Sequence, residues 1–253
     1  MNSATVRILL VHGMLAGAAA GLLAFGLAYL IGEPGVEAGL AYEDAHTTEH
    51  GMDLVSRGLQ STAGLATAVL VFGTAMGGLA ALTFCVALGR LGRLGARATA
   101  MLIAAAAFVT VYLVPFLKYP ANPPGSSAPD TIGTRTTLYF GMVALAVLAV
   151  VAAVIVGRRL ARRLGTWNAA IAAASACIVV IAVVMVFLPT VNETPGDFPA
   201  TALWQFRLAS LGIQALLWAS FGVIYGLLAE HVLEPRTARP AQAATAAATR
   251  PTA

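Results

Sequence analysis

Charge is what this sequence most conspicuously lacks. Of its 253 residues only 10% are Asp, Glu, Lys or Arg, and Lys118 is the sole lysine. A water-soluble domain carries roughly 25% charged residues, so an ordinary soluble enzyme is excluded. Hydrophobic residues make up 59% and the mean hydropathy is +0.83, which excludes disorder for most of the chain. There is no phosphate-cradling nucleotide motif, so any ATP hydrolysis has to come from another subunit. No acid, base and nucleophile converge in a pattern that marks a catalyst, and the expectation is a protein that is not an enzyme. The two cysteines, Cys85 and Cys177, stand in different apolar stretches at unmatched depths and are expected to be free thiols.

What is present is long, uninterrupted apolar sequence. Six windows of 20 residues or more are free of charge: 8–32, 58–89, 98–117, 136–157, 164–192 and 208–229. About 20 apolar residues cross the hydrocarbon core as a helix, so each window holds one span. Strands are excluded because the windows are apolar throughout, without alternation, and an open sheet edge cannot sit in lipid. The sequence therefore predicts an all-α, polytopic transmembrane helix bundle with spans at about 8–32, 62–89, 98–117, 137–157, 167–189 and 207–230. The first window is too long for a signal-peptide core of roughly 7–15 residues. Its Gly- and Ala-rich run from Gly13 to Gly21 suits close helix packing.

The net charge of +4 is a matter of topology and gives no case for nucleic-acid binding. Arg7, Arg90, Arg93, Arg97, Arg158, Arg159, Arg162, Arg163, Arg236, Arg239 and Arg250 all fall on one side of the predicted membrane, joined by Glu230 and Glu234. The other side holds Arg57, Lys118, Arg135 and Arg207 with the remaining acidic residues. The positive-inside rule places both termini in the cytoplasm. The Ala-, Thr- and Pro-rich tail, 235–253, is expected to be a disordered cytoplasmic extension.

On this topology the basic loops are too short for a site, and the outward segments 33–57, 118–135 and 193–207 carry the chemistry. The densest polar run, Tyr42 to Asp53, gathers His46 and His50 with Glu43, Asp44, Glu49 and Asp53. On a helix His46 and His50 would share one face, and imidazole with carboxylate suits a borderline divalent ion such as Zn, Co or Ni. The alternative is a solvated acidic loop. The same letters spell H-x-x-E-H, the zinc motif of inverted zincin peptidases, but no catalytic domain surrounds them. Two Pro-rich runs, Leu113–Pro124 and Phe187–Ala200, are expected to form stiff non-helical caps, with Pro115 and Pro189 ending their helices early. Glu193, Asp197 and Asn122 are the candidate ligands at the mouth beneath them.

A weak repeat runs through these segments. Each begins with an acidic or Pro-containing turn, Gly32-Glu33-Pro34, Lys118-Tyr119-Pro120 and Glu193-Thr194-Pro195. Each ends in an arginine expected to open the returning helix, Arg57, Arg135 or Arg207. Either three hairpins repeat and the arginines ring one vestibule, or helix ends simply collect Pro and Arg. Inside the windows there is no Asp, Glu, Lys or Arg, which argues against an independent proton-coupled pump. Polar groups such as Thr74, Thr110, Gln214 and Asn168, with Met76, Met185 and backbone carbonyls, are what a path would have to use.

Several of these stretches together resemble the CbtA family. They are Tyr29-Leu30-Ile31-Gly32-Glu33-Pro34, the Tyr42-Glu43 pair before the histidines, Ser56-Arg57-Gly58, Pro115 to Pro124, Asp130 to Thr136, Asp197-Phe198-Pro199-Ala200, and Trp204-Gln205-Phe206-Arg207. The resemblance spans about 8–230, and Lys118-Tyr119-Pro120-Ala121-Asn122-Pro123-Pro124 is its most specific piece. It implies a predicted cobalt transporter subunit of the bacterial cytoplasmic (inner) membrane, serving cobalamin synthesis. It also implies a partner, CbtB, a small single-span membrane subunit with a histidine-rich end. On that reading no cofactor is tightly bound, Co²⁺ is the transported ion, and His46, His50, Glu43, Glu49 and Asp53 meet it first. The competing expectation is a non-transporting membrane scaffold or assembly protein that docks a partner through its Pro-rich loops.

Overall fold

The computed structural model describes residues 2–46, 55–92, 94–126, 131–191 and 194–233, and among these the secondary structure is entirely helical. The tail 235–253, expected to be disordered, lies outside the described residues. Among the described residues five helices are long and apolar enough to cross a membrane: α1, Ser3–His46; α2, Arg57–Ala87; α3, Ala96–Lys118; α4, Ile132–Phe187; and α5, Ala200–Leu233.

Two of them run through prolines by widening a turn. In α1 the stretch Ala28–Gly32 is π-helical, with the Glu33 amide bonded to the Ala28 carbonyl five residues back. Pro34 follows at once, and the helix continues to His46. In α3 the π-helical stretch Phe108–Leu113 precedes Pro115 in the same way. A proline ring clashes with the carbonyl four residues earlier and offers it no amide; a π turn relieves the clash. The carbonyl of Val111, four residues before Pro115, accepts from the Tyr139 hydroxyl at 3.3 Å. Two expectations are thereby corrected: Gly32-Glu33-Pro34 is not a turn out of the helix, and Pro115 does not end α3. Pro189 does act as a stop, since Leu188 before it is extended (φ −71°, ψ 140°) and α4 ends at Phe187. The third π-helical stretch, Gln60–Gly64 in α2, has no proline.

α4 is two helices that meet at Gly165, whose φ of 76° and ψ of 163° belong to a region open essentially to glycine alone. The chain reverses there: a Cβ on Gly157 would lie 3.1 Å from that of Ala173, whereas an unbroken helix would separate these residues by about 24 Å. Met142 and Ala146 of the first arm are wholly buried in a core cluster against which Ile181, Val184 and Met185 of the second pack. The four arginines from Arg158 to Arg163 are therefore helical and not a connecting loop, because one glycine suffices for the reversal. The six charge-free windows thus fall on apolar helical stretches, two of them on the arms of α4.

Contacts group the chain into two compact units. The first comprises Met1–Phe25, Leu65–Ala105 and Leu216–Ala253. There α1 and α2 touch backbone to backbone: a Cβ on Gly17 would lie 2.1 Å from the Gly73 carbonyl oxygen, and one on Gly77 2.3 Å from that of Gly13. Hydrogen is the only side chain these crossings admit, the usual device where lipid offers helices no hydrophobic drive to associate. Phe84, Phe221 and Tyr225 fill the remaining core, with Tyr225 edge-on to Phe84 at 5.2 Å and stacked on Phe221 at 5.3 Å. Arg97 of α3 pairs with Glu230 of α5.

The second unit comprises Gly26–Gly64 and Ala106–Ala215. It contains all three π-helical stretches and both Pro-rich runs. Hydroxyls within the apolar helices mostly bond to their own helix, as Thr74 does to Leu70 (2.7 Å) and Thr110 to Ala106 (2.8 Å).

Candidate functional site

The second unit brings together chain segments that are far apart in sequence. The end of α1, Glu33–His46, is held by the two Pro-rich runs. Pro123 and Pro124 pack directly on Gly39, and Glu43 lies against Gly125, where a Cβ would fall 2.7 Å from its Oε2. The two runs are joined to each other by the Tyr119 hydroxyl, which donates to the Pro189 carbonyl at 2.9 Å.

His46, on the last turn of α1, faces Asp197. Its Nε2 is 3.2 Å from Asp197 Oδ2. Its Nδ1 is 2.8 Å from the backbone carbonyl of Tyr42 one turn earlier. A carbonyl only accepts, so Nδ1 carries a hydrogen and Nε2 is the atom turned to the carboxylate. The Tyr42 ring stacks on the imidazole at a centroid distance of 4.1 Å. Its hydroxyl donates to the other carboxylate oxygen, Asp197 Oδ1, at 2.7 Å. Phe198 closes the cluster edge-on to Tyr42 at 5.1 Å. The Tyr42 hydrogen bond is the main cause that holds the Asp197 carboxyl below its ordinary value, with its own backbone amide and His46 adding to it. The same bond raises the Tyr42 phenol.

Chemically, this is an imidazole nitrogen and a carboxylate oxygen oriented towards each other by groups behind them. With His46 protonated, Nε2–H donates to Oδ2. With it neutral, two lone pairs converge, which is the donor set a divalent cation takes. The pair is exposed, 51% and 62% for the two side chains, so as an ion pair alone it contributes little to stability.

The other expected site residues fall as follows. Glu43 is one turn before His46 on α1. The Asn122 side-chain oxygen accepts from Arg207 Nη2 at 2.9 Å, while Arg207 Nε donates to the Ala121 carbonyl at 3.2 Å. His50, Glu49, Asp53 and Glu193 lie outside the described residues. Among the described residues no three His, Cys, Asp or Glu side chains gather closely enough to hold a metal ion. Tyr42 was not among the expected site residues; its spacing of four from His46 was the available signal, legible only once 33–46 is known to be helical.

The three arginines do not open their helices alike. Arg57 is the first residue of α2, whereas Arg135 and Arg207 lie inside α4 and α5. Arg57 pairs with Glu33. Arg135 bonds the Pro120 carbonyl, so with Arg207 it grips the segment Pro120–Asn122 from two helices.

Apolar helices of membrane-spanning length, carrying a polar cluster at their ends, define a helical membrane-embedded protein. The chain belongs to the CbtA family: the family model, described as a probable cobalt transporter subunit, matches residues 6–230. No curated protein and no solved structure matches it.

Proposed function

We propose that this chain is the multi-pass subunit of a divalent-metal transporter of the bacterial cytoplasmic membrane, with Co²⁺ as its cargo. It spans six times, using α1, α2, α3, the two arms of α4, and α5, with both termini in the cytoplasm. The charge asymmetry of the connecting segments supports this orientation. The second unit then carries the outward-facing polar segments, and metal is captured there.

The observation that carries the reading is the His46–Asp197 pair, Nε2 to Oδ2 at 3.2 Å, oriented from behind by the Tyr42 carbonyl and hydroxyl. Nδ1 tied to a carbonyl is the arrangement that fixes a histidine for coordination through Nε2. Imidazole with carboxylate suits cobalt, nickel or zinc better than magnesium or calcium. Two protein ligands leave a hydrated ion loosely held, as capture for onward passage requires, and Glu43, His50, Glu49, Asp53 and Glu193 supply further donors from the same segments. Asn122, its oxygen already shared with Arg207, stands at the mouth. The family description speaks of a subunit, which supports a partner, and CbtB is the proposed one. The protein itself performs no covalent chemistry.

The test is radioactive cobalt uptake by cells lacking other cobalt importers. Replacing His46 and Asp197 together by Ala is expected to lower uptake while the protein remains in the membrane. Unchanged uptake would remove the capture site. Unchanged uptake on deleting the whole chain would favour the scaffold reading, to which the cross-braced Pro-rich caps lend some support.

A further inference from the structure

Glu33 is the first acidic or basic residue after the apolar run 8–32. It stands thirteen residues before His46, and so about 20 Å away along the same helix. Its side chain is only 13% exposed, and Arg57, which reaches its Oε2 through Nη2, is 35% exposed.

The surroundings are unusual for a simple strut. Glu33 directly follows the π-helical stretch Ala28–Gly32, and Arg57 stands three residues before the second one, Gln60–Gly64. π turns inside α-helices recur at functional positions, and Pro34 withholds from the first of them an amide that a carbonyl would otherwise accept. The guanidinium is held by one end only, since Arg57 Nε is buried without a hydrogen-bond partner. Structural Arg–carboxylate pairs are frequently bidentate. Ionisable residues within membrane spans, paired with one another, mark ion paths, and Glu33 stands at the edge of one.

We propose that Glu33 is a transit site for the divalent cargo and that Arg57 is its resting counter-ion. The arriving cation displaces the guanidinium and is held by the Glu33 carboxylate with carbonyl oxygens of the adjoining π turn. When it moves on, Arg57 returns. The inference rests on the reading of this chain as a cation transporter, and it names a second station for the same cargo, separate from His46 and Asp197.

Equilibrium binding of Co²⁺ to the purified full-length chain in detergent tests it. A carboxylate and its competing cation have opposite effects on a bound metal, whereas the two halves of a strut have the same effect. Glu33→Gln is expected to weaken Co²⁺ binding and Arg57→Gln to tighten it, each by about tenfold, the lower end of what close charge pairs contribute. Both shifts should persist in a His46→Ala background. Effects of the same sign, or no effect in either variant, overturn the transit site. Opposite effects here, with none from His46→Ala, would support it and remove the capture site, so the two readings fail separately.

Discussion

Asp197 is held by Tyr42 and His46 at once: the phenol donates to Oδ1 at 2.7 Å while Nε2 of His46 lies 3.2 Å from Oδ2. Both partners come from one turn of α1, and Asp197 comes from the loop before α5. That loop is thereby positioned by a helix whose continuation past Pro34 depends on the π turn at Ala28–Gly32. The geometry of the cluster is set about 20 Å away from it.

Tyr42→Phe isolates the phenol. Its hydrogen bond is the largest reason the Asp197 carboxyl sits below its ordinary 3.8. A carboxylate shifted down favours the fold above its ordinary value, and the contribution is lost as pH falls through the lowered one. The variant should therefore raise the Asp197 titration towards 3.8, as read by carbon NMR of Asp-labelled protein. Near neutral pH the carboxylate remains ionised in both proteins. Any fall in cobalt uptake there reports lost orientation and not lost charge.

How much of this was legible in the sequence depends on the range of the interaction. The apolar stretches were, because burial in lipid is a local requirement that each window meets by itself. The helical state of 33–46 was not, since Pro34 ordinarily signals an end and only the widened turn before it keeps the helix going. The reversal between the fourth and fifth spans was legible, but not its confinement to Gly165, since the arginines before it read as a loop although they are good helix formers. In the candidate site, His46, Asp197 and Glu43 were picked out by residue type alone. That His46 meets Asp197, and that Asn122 meets Arg207 85 residues on, follows from long-range pairings that no local pattern encodes.

Gly17→Ala should destabilise the first unit, because the added methyl would lie 2.1 Å from the Gly73 carbonyl oxygen. Overpacking of this kind costs about 1–3 kcal/mol. Gly26→Ala is the matched control: it lies in the same helix with nothing within 4 Å, and the gain in helix propensity should stabilise by roughly 0.5–1 kcal/mol. Thermal unfolding in detergent should shift down for the first and not for the second.

Arg207→Lys should loosen the Pro-rich cap although the charge is kept. The guanidinium bonds both the Ala121 carbonyl and the Asn122 side chain, and a lysine ammonium cannot reproduce that fork. Losing one such bond costs about 1–3 kcal/mol. Faster amide exchange at Tyr119, Ala121 and Asn122, with exchange in α2 unchanged, is the expected signature.

The reversal at Gly165 makes a prediction that distance alone decides. The Cβ positions of residues 157 and 173 lie 3.1 Å apart, slightly inside the roughly 3.5–4.5 Å of a disulfide, a gap that small movements of the two arms can open. A chain carrying Gly157→Cys and Ala173→Cys, with Cys85 and Cys177 replaced by Ala, should therefore oxidise to an intramolecular disulfide in membranes. An uninterrupted helix would keep the two sulfurs about 24 Å apart, and no oxidant would join them. Cleavage between the cysteines at the arginines from Arg158 to Arg163 gives the readout. The fragments should stay linked until reductant is added, and separation without reductant would show that α4 is straight.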